Sequence, residues 1–99
     1  MLRHVVLWKL TAEDAATRLA DSATIARELQ ALVPLVPQIQ ALTVATDATG
    51  WDGNWDVVLT VDCADEDALR GYVEHPEHRR AAAIVRQLVS ARAVVDYPV

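Results

Sequence analysis

The chain has 99 residues, 53% of them hydrophobic, with a formal net charge of −5 and a pI near 4.9. That length makes one domain, residues 1–99, with a modest core that a second subunit would help to stabilise. The acidic balance argues against nucleic acid or an anionic membrane as a partner, and no run approaches the ~18 apolar residues of a membrane span.

There is no Phe, so the expected core is small aliphatic side chains with Trp8, Trp51 and Trp55. A single cysteine, Cys63, excludes an internal disulfide and fits a reducing compartment. His4 and Lys9 interrupt the apolar start and no small-residue cleavage site follows, so no signal peptide is read and the expected location is cytoplasmic.

Arg3–Leu10 is rich in β-branched residues and reads as a strand. Thr11 and Asp14 form a capping-box-like start to a helix running from Ala12. Leu19, Ala23, Ala26, Leu29 and Val33 recur at helical spacing as its expected inner face, and Pro34 and Pro37 end it. Gln38–Thr46 is a weaker strand. Asp47–Asn54 is a turn region with Gly50 and Gly53, and Trp55–Val61 is the clearest strand. A short helix opens at Asp65–Asp67, carries Leu69, Tyr72 and Val73, and stops at His75 because Pro76 follows. Pro76 suits the first position of the next helix, read to about Ser90, and Ala91–Val99 is the last strand.

The order β-α-β-β-α-α-β at this length points to an α+β plan: a ferredoxin-like subunit with a four-stranded antiparallel sheet and helices on one face. Along the first strand His4, Val6, Trp8 and Leu10 share one side, while Val5 and Leu7 point the other way. Val58 and Val94 likewise oppose apolar neighbours in their strands. Helices can cover only one side, so the expected cover for the other is a second copy, a homodimer through the sheet faces.

Three stretches, HVVLWKL, WDVVLTVDCADEDALRGYVEHPEH and AVVDYPV, resemble the stress-responsive A/B-barrel (Dabb) family. The most specific part is Tyr72-x-x-His75-Pro76-x-His78 feeding a helix and then a strand ending Asp96-Tyr97. The resemblance implies a ferredoxin-like subunit in a dimeric α+β barrel. Most members have no assigned activity. A plant polyketide cyclase branch closes an aromatic ring by aldol condensation without a cofactor, and resemblance to it implies His78 as base and Tyr72 as its assistant. The same resemblance marks His4, Val57, Ala81 and Leu88 as positions lining the pocket. Three of these differ in kind: an aliphatic residue replaces a histidine at Val57, and Ala81 and Leu88 replace aromatics.

Aldol cyclisation needs a base to remove a proton alpha to a carbonyl and a donor to hold the enolate oxygen, roles suited to an imidazole and a phenol. In the first turn of its helix, with Arg79 and Arg80 adjacent, His78 is expected to be neutral at pH 7. Helical spacing puts Ala81, Ala82, Val85 and Leu88 near its face, with Val73 from the preceding helix. The candidate ligand-lining set is therefore His4, Val57, Val73, Ala81, Ala82 and Leu88, around a small apolar or polyketide-like ligand. His75 has a sufficient structural reason as a cap for the new helix. His75 and His78 stand across a helix break with no third ligand near, so no metal or cofactor is expected. Two other functions fit the same frame: a non-catalytic stress or structural dimer, and a cofactor-independent monooxygenase, the latter by analogy of fold alone.

Overall fold

The computed structural model describes all 99 residues. Its elements follow the order β1 (Leu2–Leu10), α1 (Ala15–Gln30), β2 (Ala41–Thr46), β3 (Val57–Cys63), α2 (Glu66–Glu74), α3 (Pro76–Arg86) and β4 (Val89–Pro98). The strands form one antiparallel sheet in the order β2-β3-β1-β4. This is the ferredoxin-like α+β plan that the element order implied, with three helices and a four-stranded sheet.

The register decides what each side of the sheet presents. His4 pairs with Val61 and Asp96, Val6 with Leu59 and Val94, and Trp8 with Val57 and Arg92. On this helix side His4, Val6, Trp8, Val57, Leu59 and Val61 are all buried. Ile25, Leu29, Leu32 and Val36 close over them, joined by Tyr72, Ala81 and Val85. Burying each of the larger apolar side chains contributes about 1.5–3 kcal/mol before the entropy of ordering is counted. On the other side Val5 faces Thr60 and Val95, and Leu7 faces Val58 and Ala93. No helix covers it, and Val95 and Tyr97 are exposed.

The first helix differs from its expected form in two ways. Its cap is Asp14, whose carboxylate accepts from the Thr17 N–H at 2.9 Å, so the helix starts at Ala15 rather than Ala12. Its inner face is Ser22, Ile25 and Leu29, continued by Leu32 and Val36 in the turns that follow, and Leu29 alone belongs to the expected stripe. Leu19 is 75% exposed and Val33 47%. The alanines of this helix gather on the side of Leu19 and draw the expected stripe away from the buried side, and the buried Ser22 hides the true face in a polar letter. The Arg18 guanidinium donates to Asp56 Oδ1 at 2.5 Å, and Asp56 Oδ2 accepts from the Leu10 N–H at 2.8 Å, which ties the start of α1 to the sheet.

The tryptophans divide. Trp8 is buried, but Trp51 is 73% exposed at the tip of the β2–β3 turn and Trp55 is half-buried, with Lys9 Nζ 4.9 Å from the centre of its ring. The turn is held by its own polar groups, because Asp47 accepts from the Gly50 N–H and from Asn54 Nδ2. Gly50 and Gly53 take positive φ, 65° and 88°, which an L side chain rarely adopts. Such a turn needs no core anchor, so Trp51 projects outward.

Candidate functional site

A cavity of about 640 Å³ lies between α3 and the helix side of the β1–β4 half of the sheet. Its floor includes Val6, Trp8 and Leu59, and its α3 wall is His78, Arg79, Ala82, Val85 and Arg86. These five α3 positions fall at i, i+1, i+4, i+7 and i+8, one helical face. His4 and Val73 complete the edge near His78.

The segment that presents His78 is built around one break. Asp65 caps α2, accepting from the Ala68 N–H at 2.8 Å, and Glu66 and Asp67 sit at the positive end of that helix. His75 leaves helical geometry at φ −61°, ψ 135°, as a residue before proline must. It ends α2 and caps α3 at once, its Nδ1 accepting from the Glu77 N–H at 3.1 Å, with Pro76 at the first helical position. The structural role expected for His75 is thus the one it has.

His78 Nδ1 lies 2.9 Å from the Val73 carbonyl oxygen. A carbonyl only accepts, so Nδ1 carries the hydrogen, and the neutral ring keeps its free lone pair on Nε2. Burial holds the His78 pKa below its ordinary value of 6.5; the Val73 hydrogen bond opposes this, and His4, Arg92 and His75 add to the lowering. The direction agrees with the neutral ring expected at pH 7, but the cause differs. Desolvation dominates, with Arg92 from across the cavity in place of Arg79 and Arg80. Arg80 points elsewhere, pairing with Glu28 at 3.0 Å and Glu77 at 3.1 Å.

Tyr72 sits beneath His78 and His4. Its ring centre is 4.6 Å from that of His78 and 6.1 Å from that of His4. It is wholly buried, and its hydroxyl has no hydrogen-bond partner within the protein. Burial pushes the phenol pKa strongly up, so Tyr72 stays protonated at every ordinary pH. His4, also buried, has Nδ1 2.6 Å from Asp96 Oδ1, and the carboxylate accepts.

The structure therefore gathers Tyr72, His78 and His4 into one cluster and sets His4, Val73, Ala82 and His78 in the cavity wall. Tyr72 is packed behind that wall. Ala81 is fully buried on the core-facing side of α3, one position round from the cavity face. Leu88 packs against the core after α3 has ended at Arg86, where the helix had been expected to run to Ser90. Val57 lies toward the far end of β3, beside Trp55 and the β2–β3 turn. None of these three lines the cavity. The cations of the lining, Arg79, Arg86 and Arg92, lie outside the set expected from the sequence, where Arg79 entered only as a charge beside His78. Their spacing from His78 could have flagged the two on α3, but the placement of Arg92 depends on the β1–β4 register.

Residues 2–99 match the stress responsive A/B barrel domain. The chain is similar to an uncharacterized protein of Streptomyces coelicolor, 30% identical over 106 residues covering 98% of each. Among solved structures it resembles a dimeric ferredoxin-like protein of unknown function from Bacteroides fragilis, with TM-score 0.87 and 26% identity over 97% of this chain and 93% of that one. A dimeric ferredoxin-like protein from Thermobifida fusca, also of unknown function, gives TM-score 0.78 and 26% identity over 99% and 90%. A hydroxynitrile lyase from Passiflora edulis gives TM-score 0.73 over 97% and 90%, and at 12% identity that likeness concerns the fold alone. A match across almost the whole length, on a fold of the same plan, places this chain in the stress responsive A/B barrel domain family.

Proposed function

We propose that this protein is a homodimer, joined through the open side of its sheet, that binds a small apolar or polyketide-like ligand in the α3–β4 cavity and takes a proton from it with His78. The carrying observation is the hydrogen bond from His78 Nδ1 to the Val73 carbonyl, which leaves Nε2 as the proton acceptor of a ring on the cavity wall. A neutral imidazole removing a proton alpha to a carbonyl is the first step of a cofactor-free aldol cyclisation. The uncommitted hydroxyl of Tyr72, held protonated, has the chemistry of a donor to the enolate oxygen. The dimeric relatives at 26% identity and the uncovered apolar side of the sheet support the second copy.

The test is deuterium exchange at the methyl group of an aryl methyl ketone in D2O. The wild type should accelerate it over buffer and His78→Ala should not. Equal exchange by both proteins would rule out His78 as the base.

One observation favours a second reading, a dimer that binds but does not catalyse. Tyr72 is wholly buried behind the cavity wall, so a ligand oxygen would have to pass between His4 and His78 to reach it. Ligand binding without any acceleration of exchange would support that reading.

A further inference from the structure

We infer that the cavity takes a carboxylate-bearing ligand, its anionic group held among Arg79, Arg86 and Arg92 and its apolar body along Val6, Trp8 and Val89. The inference rests on the reading of this cavity as a ligand site, and adds the class of ligand. In a chain with 14 acidic and 9 basic residues, acids outnumber the cations that could be left without one. Arg3, Arg18, Arg70 and Arg80 each pair with a carboxylate. The arginines without an acidic partner are Arg27, Arg79, Arg86 and Arg92, and the last three all line this one cavity. No Asp or Glu is among its lining residues.

The three cations approach from two walls. Arg79 and Arg86 stand two turns apart on the cavity face of α3. Arg92 comes from β4, on the helix side, opposite Trp8. Guanidinium forks match the paired oxygens of a carboxylate or a phosphate, so the surroundings decide between them. A phosphate would be served by free N–H groups at a helix start. Here Pro76 has no N–H, and that of Glu77 is already given to His75. The remaining lining is mostly apolar, which asks for a hydrophobic body behind the charge.

Titration calorimetry with 2-naphthoate, its neutral counterpart 2-naphthamide and 2-naphthyl phosphate tests this at low salt. Naphthoate should bind about tenfold or more tighter than naphthamide, as a charge-assisted fork contact would give. Arg86→Gln and Arg92→Gln should each erode that preference, and Arg27→Gln, an unpaired arginine away from the cavity, should leave it intact. Equal affinity for naphthoate and naphthamide would overturn the anionic class while leaving an apolar ligand site standing. Tighter binding of the phosphate would overturn the carboxylate assignment. Failure of all three probes to bind would overturn both this inference and the ligand-site reading beneath it.

Discussion

His4 and Asp96 join the first strand to the last, Nδ1 to Oδ1 at 2.6 Å across directly paired positions on the helix side of the sheet. The histidine is buried and the carboxylate partly exposed, so the contact fixes which His4 nitrogen bears hydrogen at the cavity edge. Asp96→Ala leaves a buried donor unpaired and should cost about 1–2 kcal/mol in urea unfolding, the lower part of the range for such losses because Asp96 is half in water. Asp96→Asn, whose amide oxygen still accepts, should recover most of that. An alanine variant as stable as the wild type would mean the contact carries no weight.

His78 sets a pH dependence whose sign follows from its lowered pKa. Well above pH 6.5 the ring is neutral both folded and unfolded and adds no slope. As pH falls through 6.5 the unfolded chain takes up the proton first, so stability declines, and the decline levels off below the folded-state value. His78→Asn removes this contribution. Unfolding free energies of the two proteins at pH 7.5 and pH 5.5 should differ more for the wild type than for the variant, and parallel profiles would refute the assignment.

The Tyr72 hydroxyl makes no bond to the protein although it is wholly buried. Tyr72→Phe therefore removes a desolvated polar group without orphaning a partner, and should be neutral or stabilising, within about 1 kcal/mol. A larger loss in chemical unfolding would show that the hydroxyl has a partner in solution. The prediction separates folding from function: under the proposed chemistry the same variant loses exchange activity while keeping its stability.

Val95, 62% exposed and paired with Val5 on the uncovered side of the sheet, should lie at the centre of the proposed dimer contact. Val95→Glu places a charge there and should yield a monomer of 10.9 kDa by light scattering, against roughly 22 kDa for the wild type. A wild type of monomer mass would refute the dimer.

What could be read from the sequence follows the strength of local signals. Alternation along Arg3–Leu10 marked both faces of β1, and Pro76 located the α2–α3 junction, because period two and a missing N–H speak for themselves. The face of α1 differs from the expected one because its alanines gather beside Leu19 and look apolar, while the buried side carries the polar Ser22. Tyr72 and His78, six positions apart across the Pro76 break, lie ring to ring, and strand β1 brings His4 beside them. That Arg79, Arg86 and Arg92 share one cavity without an acid was not legible, because an arginine in a sequence looks the same whether or not an acid waits for it across the fold. Arg92 and Trp8 stand 84 positions apart, and only strand register brings them together.

Pro76 also acts at a distance of three residues. In an unbroken helix the Val73 carbonyl would accept from the Glu77 N–H, four residues on. Here that N–H is turned to His75, and the carbonyl is released to His78 instead. A backbone acceptor set loose by a helix break thus selects the tautomer of an imidazole one turn later, and in Pro76→Ala a helix that closes over the junction would reclaim it. Imidazole nitrogen shifts should then show His78 losing its preference for hydrogen on Nδ1. The proline, with no reactive group of its own, is the residue that decides which nitrogen of the histidine keeps its lone pair.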